Sequence, residues 1–273
     1  MNGKLATRLA LLLLIVIVFL GSLGLHRSGA SRKDTITLAG STSVMPFSEK
    51  LAEYFMVGNP KCAVDVQGGG SSAGVQAAMN KTVQIGMSSR KLRDDEKILK
   101  EIPICYDGIS IIVHPGNPVR NITEDQVRQI YNGEIRNWKQ LGWIDRAIDA
   151  VTREEGSGTR GAFEELVMKK EYIDDRIMVQ DSNGSVKEVV ATDPYAIGYV
   201  SLGMVDAKVK TLTIGGVAPT VTNIRQNRYH MVRPFLYLTL GDPQGTTKAF
   251  IDFVLSRDGQ NILRREGLVP VRG

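Results

Sequence analysis

Ile36-Thr37-Leu38-Ala39-Gly40-Ser41-Thr42-Ser43-Val44-Met45-Pro46-Phe47 sets the pattern for the chain. Residues 36–39 read as a short strand. Residues 44–57 read as a helix, with Val44, Phe47, Leu51, Tyr54 and Phe55 at helical spacing. A glycine and three hydroxyls join the two. The order repeats outward: strand 63–67, helix 72–79, strand 83–87, a helical segment 94–100, and a strongly apolar strand 109–113. This alternation predicts an α/β fold with a mostly parallel sheet covered by helices.

A second cycle follows the turn-rich Pro115-Gly116-Asn117-Pro118. Thr123 and Gln126 form a capping box that opens a helix at 124–131. Strand 147–152, helix 159–169, helix 185–191 and strand 196–200 come next. After a polar stretch at 223–229, apolar residues 234–240 and a helix at 246–255 close the chain. No repeat of fixed period is visible. Two α/β cycles of similar size predict two lobes with a cleft between them. The C-terminal elements fit either lobe on pattern alone.

The 273 residues are 42% hydrophobic and 23% charged, an ordinary globular balance, and the net charge of +5 is spread over 34 basic and 29 acidic residues. No Lys/Arg stripe with interleaved aromatics is present, which argues against a nucleic-acid partner and for a small anion. At the start, Lys4 and Arg8 precede an apolar run at residues 9–25, and Ser28, Gly29 and Ala30 follow it. Residues 1–30 therefore read as a secretory signal cleaved after Ala30 or as a retained anchor, since about 17 apolar residues is the lower limit for spanning a bilayer. Either way, an exported protein is expected, periplasmic or extracytoplasmic. Cys62 and Cys105 are the only cysteines; in an oxidising compartment they can pair, or they are two buried small hydrophobes. No metal or cofactor site is expected, because the cysteines are not closely spaced and His26, His114 and His230 are isolated from one another.

The chemistry lies in three hydroxyl–glycine loops, each after a strand and before a helix: Gly40-Ser41-Thr42-Ser43, Gly68-Gly69-Gly70-Ser71-Ser72, and Arg153-Glu154-Glu155-Gly156-Ser157-Gly158-Thr159. Helix starts expose unpaired N–H groups and the positive end of the dipole, so each loop is a small anion cradle. Taken singly, each is also explained as an ordinary N-cap and turn. Three in one chain, one of them carrying Arg153, point to an oxyanion site beyond the carboxyl ends of the strands. For Arg153 the plain alternative is a surface salt bridge with Glu154 or Glu155. A fourth loop, Gly86-Met87-Ser88-Ser89-Arg90, offers more hydroxyls and a second guanidinium. At a fifth, Asp181-Ser182-Asn183-Gly184-Ser185, an ordinary capped turn is favoured over Asn183 and Gly184 facing the cleft.

At these residues the sequence resembles the periplasmic phosphate-binding proteins of Pst-type ABC importers. The matching stretches are Gly40 to Ser43, the Gly-Gly-Gly-Ser-Ser run, Gly86 to Ser89, Tyr195-Ala-Ile-Gly-Tyr-Val200 and, most specifically, Arg153-x-x-Gly-Ser-Gly-Thr159. The resemblance runs from about Thr35 to the C-terminus. It implies a two-lobed type II periplasmic binding protein, with lobe 1 at 31–113 plus 230–273 and lobe 2 at 114–229, closing on inorganic phosphate. The implied ligand contacts are Thr42 and Ser43, Ser72 or its neighbour Ser71, Arg153, Ser157, Gly158 and Thr159. Ser41 and Ser89 complete the candidate set. The implied partners are phosphate and the membrane permease of an ABC importer, with the protein itself a monomer and not an enzyme. Many members carry an Asp where Ser89 stands. A serine hydroxyl can accept from the ligand but supplies no repelling charge, so discrimination of phosphate from sulfate does not carry over with the resemblance.

Two other readings keep specific support. Gly70-Ser71-Ser72-Ala73-Gly74 fits the G-x-S-x-G nucleophile elbow of serine hydrolases, a short pattern in a Gly/Ser-rich chain. An anchored form would be a phosphate sensor or scaffold, and sulfate, molybdate or tungstate are alternative ligands for the same cleft.

Overall fold

The computed structural model describes residues 34–271, so the leader reading at 1–30 lies outside the described residues. Among the described residues no helix is long and apolar enough to cross a membrane.

The first half begins with β1 (Asp34–Gly40), which ends where a Cβ on Gly40 would lie 2.3 Å from the Met87 carbonyl at φ +139°, so only glycine turns the chain here. Helix α1 (Met45–Gly58) follows and buries Phe47, Leu51, Ala52 and Phe55, the face its apolar spacing defines. Next come β2 (Cys62–Gln67), α2 (Ser71–Met79) and β3 (Ile85–Ser88). The helix expected at 94–100 is only a single 3₁₀ turn at Asp94–Glu96. Its Glu96 turns inward to Arg90 instead of continuing a helical face. The chain then enters β4 (Lys100–Val113), much longer than the expected 109–113 because Tyr106 and Asp107 interrupt its apolar pattern.

In the second half, α3 (Glu124–Tyr131) starts with the expected capping box: Thr123 Oγ1 accepts from Gln126 N at 3.1 Å, and Gln126 Oε1 accepts from Thr123 N at 2.9 Å. Then come β5 (Asp149–Arg153) and α4 (Gly158–Phe163), which widens into a π turn at Glu164–Met168. After these follow β6 (Met178–Gln180), α5 (Asn183–Thr192) and β7 (Ala196–Ser201). The chain closes with β8 (Val232–Thr239), α6 (Gly245–Leu255) and α7 (Arg257–Arg265), the last not anticipated from sequence.

The strands lie in the order β2-β1-β3-β8-β4-β7-β5-β6. The pairs β1/β3, β5/β6 and β5/β7 are parallel. The centre is not: β8 runs antiparallel to β3 and β4, and β4 antiparallel to β7. The mostly parallel expectation thus holds towards the edges and fails in the middle. The reason is connectivity, since β4 carries the chain out of the first half and β8 brings it back, so the two must point in opposite directions. β4 belongs to both cores. Ile102, Ile104 and Cys105 pack with Leu38, Phe47 and Phe250. Ile109, Ile111 and Val113 pack with Tyr131, Phe163 and Tyr199. Cys62 and Cys105 are both free thiols of the first core.

Candidate functional site

Each loop is first organised from within. Ser41 Oγ accepts from Ser43 N at 3.2 Å and Val44 N at 3.4 Å, pinning the turn into α1. Ser157 is the N-cap of α4, accepting from Thr159 N and Arg160 N, both at 3.2 Å. Two of the N–H groups at this helix start are therefore already satisfied by a side chain. At the start of α2, Gly70 has φ +90° and caps with no side chain.

The loops then meet across the cleft. Ser43 Oγ lies 2.7 Å from Thr159 Oγ1, Ser72 N donates to Gly156 O at 3.1 Å, and Arg153 Nη2 donates to Thr42 Oγ1 at 3.2 Å. A Cβ on Gly158 would lie 2.1 Å from Ser71 Oγ and 2.6 Å from Ser89 Oγ, so glycine is what lets α4 approach the first half. Ser89 joins the set: its N–H donates to Ser71 Oγ at 3.0 Å, and its Oγ accepts from Ser41 Oγ at 2.9 Å. Ser41, Thr42, Ser43, Ser71, Ser72, Ser89, Arg153, Ser157, Gly158 and Thr159 are thus brought together.

Arg153 is 1% exposed. It does pair with Glu154, Nη2 to Oε1 at 3.0 Å, but inside the protein and not on its surface. Its Nε donates to Gln180 O at 3.1 Å and its Nη2 to Asp181 O at 3.0 Å, which aims the fork at Thr42. Its Nη1 is buried with no hydrogen-bond partner among the described residues. A permanently charged donor in that position is a strong demand for an anionic acceptor.

Arg90 is not the second guanidinium of the site. It donates to both oxygens of buried Glu96, at 2.7 and 2.8 Å, and reaches Ser72 Oγ only at 3.4 Å. Burial pushes the Glu96 carboxyl up, but bonds from Arg90 and Arg93 outweigh it and hold the group at about 2. The second guanidinium belongs to Arg233, which sequence reading missed. The β8/β4 register sets Arg233 opposite Asp107. Arg233 Nη2 donates to Asp107 Oδ2 at 3.0 Å and to Ser43 Oγ at 3.1 Å, and Nη1 donates to Ser89 Oγ at 3.3 Å. Burial pushes the Asp107 carboxyl up against the downward pull of Arg233, and pushes the Arg233 guanidinium down. Asn183 also faces the site, in place of the ordinary turn role. Its Oδ1 accepts from Ser201 N at 3.2 Å and its Nδ2 donates to Ser43 Oγ at 2.8 Å, while Ser182 does the capping. One signal for the pair was available: Asp107 and Arg233 are lone opposite charges in otherwise apolar strands, where an unpaired charge is not tolerated.

The nucleophile-elbow reading gains no geometric support. Gly74 serves packing, since a Cβ there would lie 2.6 Å from Ala39 O and 2.7 Å from the Gly40 Cα. His114 Nδ1 accepts from Gly116 N at 3.0 Å, and Ser72 Oγ has Arg90 as its hydrogen-bond partner.

A family profile described as a PBP superfamily domain matches residues 26–258. A curated relative, the phosphate-binding protein PstS of Bacillus subtilis, is 34% identical over 243 residues, covering 87% of this chain and 81% of the relative. Among solved structures, a candidate phosphate ABC transporter substrate-binding protein from Clostridium perfringens, crystallised with bound phosphate, is 41% identical at TM-score 0.85. That match covers 88% of this chain and 100% of the other. An ABC-type phosphate transport receptor from Vibrio cholerae is 37% identical at TM-score 0.72, covering 86% of this chain and 99% of the receptor. These likenesses identify the two halves as the lobes of a two-lobed type II binding-protein fold.

Proposed function

Because the chain belongs to the PBP superfamily and, within it, to the phosphate-binding proteins, we propose that it captures inorganic phosphate between its lobes for a membrane ABC importer. It carries out no chemistry of its own. The observation that carries this reading is Arg153: a buried guanidinium with an unpartnered Nη1, ringed by hydroxyl loops from both lobes. The contacts would be Thr42, Ser43, Ser71 or Ser72, Ser89, Arg153, Gly158 and Thr159, with Ser41 and Ser157 shaping their loops.

The lobes are 31–113 with 230–273, and 114–229. The two cores support this division and refine it, since residues 109–113 already pack with the second lobe. Closure on the anion joins both lobes into one surface for the permease, a hinge-type switch across β4 and β8. The basic-then-apolar leader supports export, as a freed carrier or one held at the membrane, and the protein works as a monomer. The mass of the mature protein from cells separates these two fates.

Calorimetry of the purified protein with phosphate, sulfate, molybdate and tungstate tests the reading. Saturable one-to-one phosphate binding is expected, and no response to phosphate would defeat it.

A further inference from the structure

Counting hydrogens at the cleft hydroxyls fixes their polarity. A hydroxyl has one proton and two acceptor lone pairs. Ser41 Oγ accepts two main-chain N–H groups, so its proton goes to Ser89 Oγ. Ser89 Oγ thus accepts from Ser41 and, at 3.3 Å, from Arg233 Nη1. Ser43 Oγ accepts from Asn183 Nδ2 at 2.8 Å and Arg233 Nη2 at 3.1 Å. Thr42 Oγ1 accepts from Arg153 Nη2 at 3.2 Å and Asn183 Nδ2 at 3.5 Å. The Asn183 amide cannot be turned round without losing its bond from Ser201 N, so its donor end is fixed on these hydroxyls. Asp107 Oδ2 is taken by Arg233 and Oδ1 by Ser201 Oγ at 2.9 Å, so that carboxylate stands behind the guanidinium.

Resting on the oxyanion reading of this cleft, the geometry points to a donor-only cradle: Thr42, Ser43 and Ser89 present hydroxyl protons, and Arg153 an N–H, with no lone pair left to accept a proton from the ligand. Such a cradle grips ionised oxygens and leaves each ligand O–H facing another donor. It takes tetrahedral dianions, sulfate as well as dianionic phosphate, and disfavours the phosphate monoanion. Ser89 therefore cannot read the proton of phosphate as an acceptor would.

The charged groups facing the cradle are Arg233 and Asp107 on the central strands, and Arg153 with Glu154 after β5. Arg90 with Glu96, Asp181 and Arg160 lie just outside it. Sulfate, ionised throughout the range used, reports any titration among them.

The test is competition calorimetry on the purified protein at pH 8 and pH 5.5. Sulfate should displace phosphate with an affinity within about tenfold of it at pH 8. Phosphate affinity should fall by roughly tenfold or more at pH 5.5, in step with the dianion fraction, while sulfate affinity stays nearly constant. Phosphate binding that is flat with pH and indifferent to sulfate overturns the donor-only cradle and leaves the phosphate reading intact. Binding of neither anion overturns both. Ser89→Asp supplies the missing acceptor: it should weaken sulfate far more than phosphate and flatten the phosphate profile. An equal loss for both anions would count against Ser89 as a ligand-facing donor.

Discussion

Arg153 and Arg233 reach the cleft from different strands and are balanced by different carboxylates, Glu154 and Asp107, each at 3.0 Å. Their roles differ accordingly. Arg153 keeps an unpartnered Nη1, and charge-assisted bonds are worth about 1.5–3 kcal/mol each. Arg153→Ala should therefore lower phosphate affinity by roughly one to three decades in calorimetry. It should also lower the ligand-free Tm by about 2–8 °C, because the side chain braces Gln180 and Asp181. Asp107→Asn leaves a buried Arg233 without its counter-charge, which should cost about 3–5 kcal/mol in denaturant unfolding. A cost under about 1 kcal/mol would show that the pair is not closed off from water as described. At Glu96 the carboxyl is held at about 2, below its ordinary range. A depressed folded-state value adds stability at neutral pH that is lost as pH falls from about 4 towards 2. Glu96→Gln should remove that part of the acid dependence of Tm.

The strand–loop–helix units were legible because their signals are local. The hydroxyl loops, the Thr123/Gln126 capping box and the apolar spacing of α1 each lie within a few residues and follow from backbone geometry. What escaped depended on partners far along the chain. Glu96 broke a helical pattern because Arg90 claimed it, and Asp107 disguised the length of β4 because its partner Arg233 lies on β8. The same distance hid the second guanidinium of the site. The helix starts carry a testable consequence of close approach. A Cβ on Gly158 would collide with Ser71 and Ser89 only when the loops are together. Gly158→Ala should therefore cut phosphate affinity at least about tenfold while leaving the ligand-free Tm within ~2 °C, since an open cleft accommodates the methyl. Unchanged affinity would mean that closure does not bring α4 against the first lobe.

Across the whole molecule, β4 and β8 are the shared frame. Each lobe has its own core, while these two antiparallel strands hold the Asp107–Arg233 pair at the floor of the cleft. The hinge, the ion pair and the hydroxyl cradle are thus one connected structure, in which lobe closure and anion capture are the same event. The most direct test is a crystal structure of the protein grown with phosphate. Tetrahedral density within ~3 Å of Arg153 Nη1 and of the Thr42, Ser43 and Thr159 hydroxyls is the predicted result. Density elsewhere, or an empty cleft with phosphate present, would contradict it.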